Sequence, residues 1–257
     1  MKKISILIGT FMLVLAACTG GNSAATLIQA GAVADSLASE EADGTVEVAS
    51  PDLQASFTIE DEQISIQAIG QELFELFASQ QLKRLPAKDI TEVCNALRES
   101  KGDFITIINS PTGESVSFSL TPHQIIKLQR AKNSELNLGA ARSQIIAIAQ
   151  NMVPNPDAHA GAVRVDVSIK KSFIEYNVVW EKASYYSHFP QGILTKNYFN
   201  ALKEEYQEMG GLAERVIDML SSLNIDGVRM VYSAEDSDKE LRQAFPWREI
   251  RMPIEKK

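Results

Sequence analysis

The chain has 257 residues, 45 % of them hydrophobic, with 33 acidic against 25 basic side chains and a formal charge of −8. Such a length can bury a sufficient core without covalent staples, and the excess of acid excludes the basic footprint of a nucleic-acid binder. The two cysteines, Cys18 and Cys94, allow at most one intrachain disulfide.

In chain order, Lys2 and Lys3 precede an apolar run from Ile4 to Ala17 that ends in Leu15-Ala16-Ala17-Cys18. Charge, apolar stretch and small residues in that order are a secretory signal, and the apolar part is too short to span a bilayer as a helix. The last four residues resemble the lipobox of bacterial lipoproteins. The resemblance covers only this export segment (residues 1–17, with Cys18 following) and identifies no family for the rest of the chain. It implies that Cys18 becomes the first mature residue, carrying a thioether-linked diacylglycerol and an amide-linked acyl chain. An ordinary signal cut near Ala17, leaving a bare thiol, is the alternative. Removing Met1–Ala17 takes away two lysines and no acid, which moves the charge from −8 to −10. Anionic headgroups would repel such a body, so the membrane contact rests on the lipid at Cys18. With Cys18 acylated, Cys94 has no disulfide partner in the molecule.

Residues 18–56 are rich in Ala, Gly, Ser and acids and contain no aromatic side chain, as expected of a flexible tether with a span near about 35 Å. A short helix with Ala30, Val33 and Leu37 on one face is the rival reading. Thr19-Gly20-Gly21 lacks an acidic retention signal of the enterobacterial kind, which points to the outer membrane, with the periplasmic or surface face left open.

From Phe57 apolar residues become periodic, and 57–257 reads as one α+β globular region with a division into two subdomains, if there is one, near 155–162. Phe57 and Ile59 against Ile64, Ile66 and Ala68 suggest a hairpin around Glu60-Asp61-Glu62-Gln63. Leu73, Phe74, Leu76 and Phe77 mark a helix. Pro86 opens another, with Ile90, Val93, Cys94 and Leu97 on one face and Gly102 at its end. Cys94 is therefore a small buried hydrophobe. Phe104–Ile108 and Val116–Leu120 are strands around the turn Ser110-Pro111-Thr112-Gly113. Thr121-Pro122 caps a helix carrying Ile125, Ile126 and Leu128, and a further helix carries Ile145, Ile146 and Ile148.

Val163, Val165, Val167 and Ile169 alternate with Arg164, Asp166, Ser168 and Lys170 as a half-buried strand, with Ile174, Tyr176, Val178 and Trp180 as its hairpin partner. Thr195 caps a helix with Tyr198, Phe199, Leu202, Tyr206 and Met209 inward, and Val216, Ile217, Leu220 and Leu223 mark the next. Val228–Tyr232 reads as a strand, Asp238–Phe245 as a short helix and Arg248–Ile254 as a last strand. The class is α+β, β-hairpins alternating with helix pairs, and the rhythm hints at a repeat returning near Phe57, Phe104 and Val163.

Phosphate loops, nucleophile elbows, H-E-x-x-H and paired C-x-x-C motifs are absent from the sequence. No cofactor, metal site or catalytic residue is assigned. His123 falls in the first turn of a capped helix; Asp157 and His159 share a loop, but two ligands make no zinc site. Nine of the eighteen aromatics fall between Phe173 and Tyr206. Tyr185, Tyr186, His188 and Phe189 lie there on a loop, where exposed rings suit stacking on a glycan or anchoring a peptide. The competing reading folds these rings over the core. Three functional readings stay open: a non-enzymatic envelope lipoprotein that binds or assembles with an envelope protein, a tethered glycan- or peptide-binding protein using residues 185–189, and an envelope hydrolase with His159, Asp157 or His188 as first suspects.

Overall fold

The structure is a computed structural model that describes residues 54–58, 66–110, 112–151, 162–184, 199–200, 202–204, 206–207 and 210–252. These form two compact units that divide between Ala141 and Arg142. The class is α+β, with hairpins alternating with helix pairs.

In the first unit, β1 (Gln54–Thr58) pairs in parallel with β2 (Phe104–Asn109), which pairs antiparallel with β3 (Ser115–Leu120). This corrects the hairpin expected at 57–68. Ile66–Ala68 is a single 3-10 turn, and β1 finds its partner some fifty residues on. Alternation fixes which side chains share a face but not which strand they pair with; a parallel partner needs a helical crossover, which here follows. β1 also begins within the stretch read as tether, so Gln54, Ala55 and Ser56 belong to the sheet.

The crossover contains α1 (Gln71–Leu82) and α2 (Ala87–Ser100). Leu73, Phe74, Leu76 and Phe77 are buried, as their spacing required, and the Phe74 ring stacks on Phe118 at 4.5 Å. Pro86 caps α2, where its missing N–H costs nothing. At the far end Lys101, not Gly102, takes the left-handed position with φ 56°, and Gly102 N–H donates to the Leu97 carbonyl at 3.0 Å. After β3 comes α3 (Pro122–Arg130), opened by a reciprocal cap. Gln124 N–H donates to Thr121 Oγ1 at 3.2 Å, and Thr121 N–H donates to Gln124 Oε1 at 2.9 Å. α3 packs on α1, where Ser79 Oγ donates to the Leu128 carbonyl at 2.9 Å. Cys94 is fully buried between these helices, and its thiol donates to the Pro122 carbonyl at 3.7 Å.

The unit boundary falls inside α4 (Leu138–Asn151). The second unit holds a four-stranded sheet in the order β4 (Ala162–Lys170), β5 (Phe173–Trp180), β6 (Gly227–Ala234), β7 (Ser237–Pro246), with β5 and β6 parallel and the outer pairs antiparallel. The β4–β5 hairpin is the one that the alternation indicated, although Val163 is 43 % exposed and β5 is buried on both faces. The open edge of β4 is closed by one amide. Gln150 Nε2 donates to the Val165 carbonyl at 3.1 Å, and Val167 N–H donates to Gln150 Oε1 at 2.9 Å.

Between β5 and β6 lie helical residues at 199–200, 202–204 and 206–207, then α5 (Gly211–Ser222), whose Ala213, Val216, Ile217, Met219 and Leu220 are buried. β7 corrects the helix expected at 238–245. The segment has a helix-like composition, but the two-residue turn Glu235-Asp236 folds it back onto β6, and pairing overrides propensity. Asp238, Lys239, Glu240 and Arg242 are the charges of an edge strand rather than of a helix face. The strand expected from Arg248 is likewise replaced by α6 (Trp247–Ile250). In both sheets a strand, helical segments and a hairpin follow in order, with that strand parallel to the first strand of the hairpin; in the second sheet the strand is β5, itself half of the β4–β5 hairpin.

Candidate functional site

Of the residues singled out from sequence, Cys18, Asp157, His159, Tyr185, Tyr186, His188 and Phe189 lie outside the described residues. His123 is an exposed residue in the first turn of α3. The site that the structure offers was not foreseen: a cavity of about 460 Å³ at one end of the four-stranded sheet, lined by Phe173, Ser221, Asp226, Pro246, Trp247, Arg248 and Arg251.

Its floor follows from strand register. Phe173, Gly227 and Pro246 are neighbours across β5, β6 and β7. A Cβ on Gly227 would stand 2.4 Å from the Phe245 carbonyl oxygen, 2.8 Å from Pro246 Cα and 2.9 Å from the Phe173 ring. Only glycine lets these three come together. Trp247 closes the inner wall: its N–H donates to the Asp226 carbonyl and its indole Nε1 to the Ile225 carbonyl, both at 2.8 Å. With that nitrogen committed, the ring presents apolar surface.

Phe173 is held from behind. The Arg229 guanidinium lies 4.6 Å from the ring centroid and reaches Glu175 at 3.3 Å, while Lys170 Nζ reaches the other oxygen of Glu175 at 2.5 Å. Glu175 is only 1 % exposed. Burial alone would raise its pKa, but hydrogen bonds and charge from Lys170 and Arg229 outweigh that and hold the carboxyl below its ordinary value. Arg251 is fixed similarly, by Glu214 at 2.7 Å and Asp218 at 2.9 Å, both on α5. Burial disfavours its charge, yet those two carboxylates raise its pKa further. Tyr206 donates to Glu214; burial first, then that carboxylate, pushes the phenol up to about 12.

Two charged side chains of the cavity remain. Arg248 and Asp226 are exposed, and neither side chain has a hydrogen-bond or ion-pair partner among the described residues. The arrangement is therefore an aromatic and proline floor, a braced guanidinium, and one open charge of each sign. It suits reversible binding of a small polar ligand. The sequence signal that could have found it is Pro246-Trp247: proline ahead of a helix start places Arg248 on a turn beside the sheet end.

No protein-family model matches the sequence, and neither a curated protein nor a solved structure matches it.

Proposed function

We propose that this protein is a lipid-anchored lipoprotein of a bacterial cell envelope that acts by binding, or assembling with, another envelope component. The observation that carries this reading is Leu15-Ala16-Ala17-Cys18 at the end of a short apolar run behind two lysines. Two or three acyl chains on one residue, each buried methylene contributing about 0.8 kcal/mol, would make release from a bilayer negligible. The acidic body offers anionic lipid no attraction of its own, so the lipid alone holds it there. The outer membrane is the proposed site, from Thr19-Gly20-Gly21.

Replacing Cys18 by Ser tests the anchor. Metabolic labelling with a fatty-acid analogue should disappear and the protein should move to the soluble envelope fraction; labelling and retention that persist would refute the proposal. Crosslinking in native envelopes, followed by identification of captured neighbours, tests the assembly role.

The cavity at Phe173 and Arg248 favours a second reading within the same class, a tethered receptor for a small ligand. It rests on different residues from the aromatic loop 185–189.

A further inference from the structure

We propose that the cavity at the end of the four-stranded sheet binds a small zwitterion with an apolar side chain, an α-amino acid or a dipeptide. The inference deepens the small-ligand reading and depends on it for a cellular role. The site itself is made by residues 173–251 and needs no lipid.

Two opposite charges in the cavity, Asp226 and Arg248, do not meet. Because Trp247 N–H donates to the Asp226 carbonyl at 2.8 Å, the side chains of Asp226 and Arg248 leave neighbouring points of the backbone. Both line the same cavity, yet they make no ion pair with each other or with any described residue. Several other opposite charges of this unit do pair: Arg164 with Asp166 at 3.0 Å, Arg242 with Glu240, and Arg251 with Glu214 and Asp218. A ligand carrying both signs satisfies the two open groups together, its carboxylate on Arg248 and its ammonium on Asp226. A ligand with only negative charge, such as a phosphate, would face the Asp226 carboxylate and is disfavoured.

The remaining walls choose the side chain. Phe173, Pro246 and Trp247 are apolar surfaces, and Trp247 has already spent its one donor on Ile225. Arg251 also lines the cavity, but its guanidinium is engaged by Glu214 and Asp218. A volume of about 460 Å³ lies in the lower half of the range for small-molecule sites, roughly 300–1,000 Å³. That size suits one or two amino-acid residues better than a long peptide.

Titration calorimetry on the detergent-solubilised full chain provides the test, with phenylalanine and glycyl-phenylalanine as probes. Both should bind, and N-acetyl-phenylalanine and phenylalaninamide, each lacking one charge, should bind at least about tenfold more weakly. Arg248→Gln and Asp226→Asn, exposed positions whose variants should keep the wild-type circular dichroism, should each cost the zwitterions a similar factor. Against N-acetyl-phenylalanine, which carries only negative charge, Asp226→Asn should cost nothing and should strengthen binding by relieving the like-charge repulsion. Failure of both zwitterions to bind at about 10 mM, or binding indifferent to both substitutions, overturns the proposal. Absence of acyl labelling on the wild-type protein with zwitterion binding intact would sink the anchor alone, and labelling without zwitterion binding would sink this inference alone.

Discussion

Tyr176 sits on β5 with its ring wholly buried, and its hydroxyl has no hydrogen-bond partner among the described residues. Burial without a partner also raises the pKa of the phenol. A hydroxyl taken from water without compensation costs about 1–3 kcal/mol in proteins. Tyr176→Phe removes that cost and leaves a void of only about 10 Å³, which at about 24 cal/mol per Å³ returns roughly 0.2 kcal/mol. The balance is a stabilisation of about 1–2 kcal/mol. For a unit of this size that raises the melting temperature by about 4 °C or more. Differential scanning calorimetry of wild type and variant checks it. A variant that melts below wild type would show that the hydroxyl is bonded in the folded protein, and the reasoning about β5 would be wrong.

Gly227→Ala should destabilise the four-stranded sheet by about 3 kcal/mol, because the new methyl group must push backbone at 2.4 Å and 2.8 Å rather than a mobile side-chain end. Loss of amide-exchange protection in β6 and β7 would register it, and unchanged protection would count against the packing at the cavity floor. Glu175→Gln should cost about 2 kcal/mol at neutral pH by removing the carboxylate charge and one of the two oxygens that accept from Lys170 and Arg229. Since the folded-state pKa of Glu175 is depressed, its contribution is present above the unfolded value near about 4.3 and fades as pH falls through the folded one. Urea midpoints of wild type and variant should therefore converge on acidification, and a gap constant down to pH values of about 3 would argue against the ion cluster. Thr121→Ala should lower the stability of the first unit by about 1 kcal/mol through loss of the reciprocal cap, measurable by urea unfolding. Cys94 is fully buried, and burial raises its thiol pKa despite the nearby Arg98. It should resist alkylation in the folded protein and react only on unfolding; rapid native labelling would contradict its packing between the helices.

Local chemistry was legible wherever neighbours in sequence are also neighbours in space. The face of α1 with Leu73, Phe74 and Phe77, the Thr121 cap and the β4–β5 hairpin follow from spacing alone, because helix period, capping and two-residue turns act within a few residues. The 57–68 hairpin and the 238–245 helix failed for one shared reason. β1 and β7 are stabilised by strands whose identity no local pattern carries, and Lys239-Glu240-Leu241-Arg242 is as good a helix sequence as an edge strand.

The sequence by itself determined the α+β class, the acidic body, the buried position of Cys94 and the resemblance at Cys18 from which the proposed anchoring follows. Only the tertiary structure decided the parallel partners of β1 and β5. It also decided the meeting of Phe173, Asp226 and Arg248, which stand far apart along the chain and share a cavity because strand register brings Phe173, Gly227 and Pro246 side by side. Register is a long-range property, fixed by what two strands bury together, and no stretch read alone contains it.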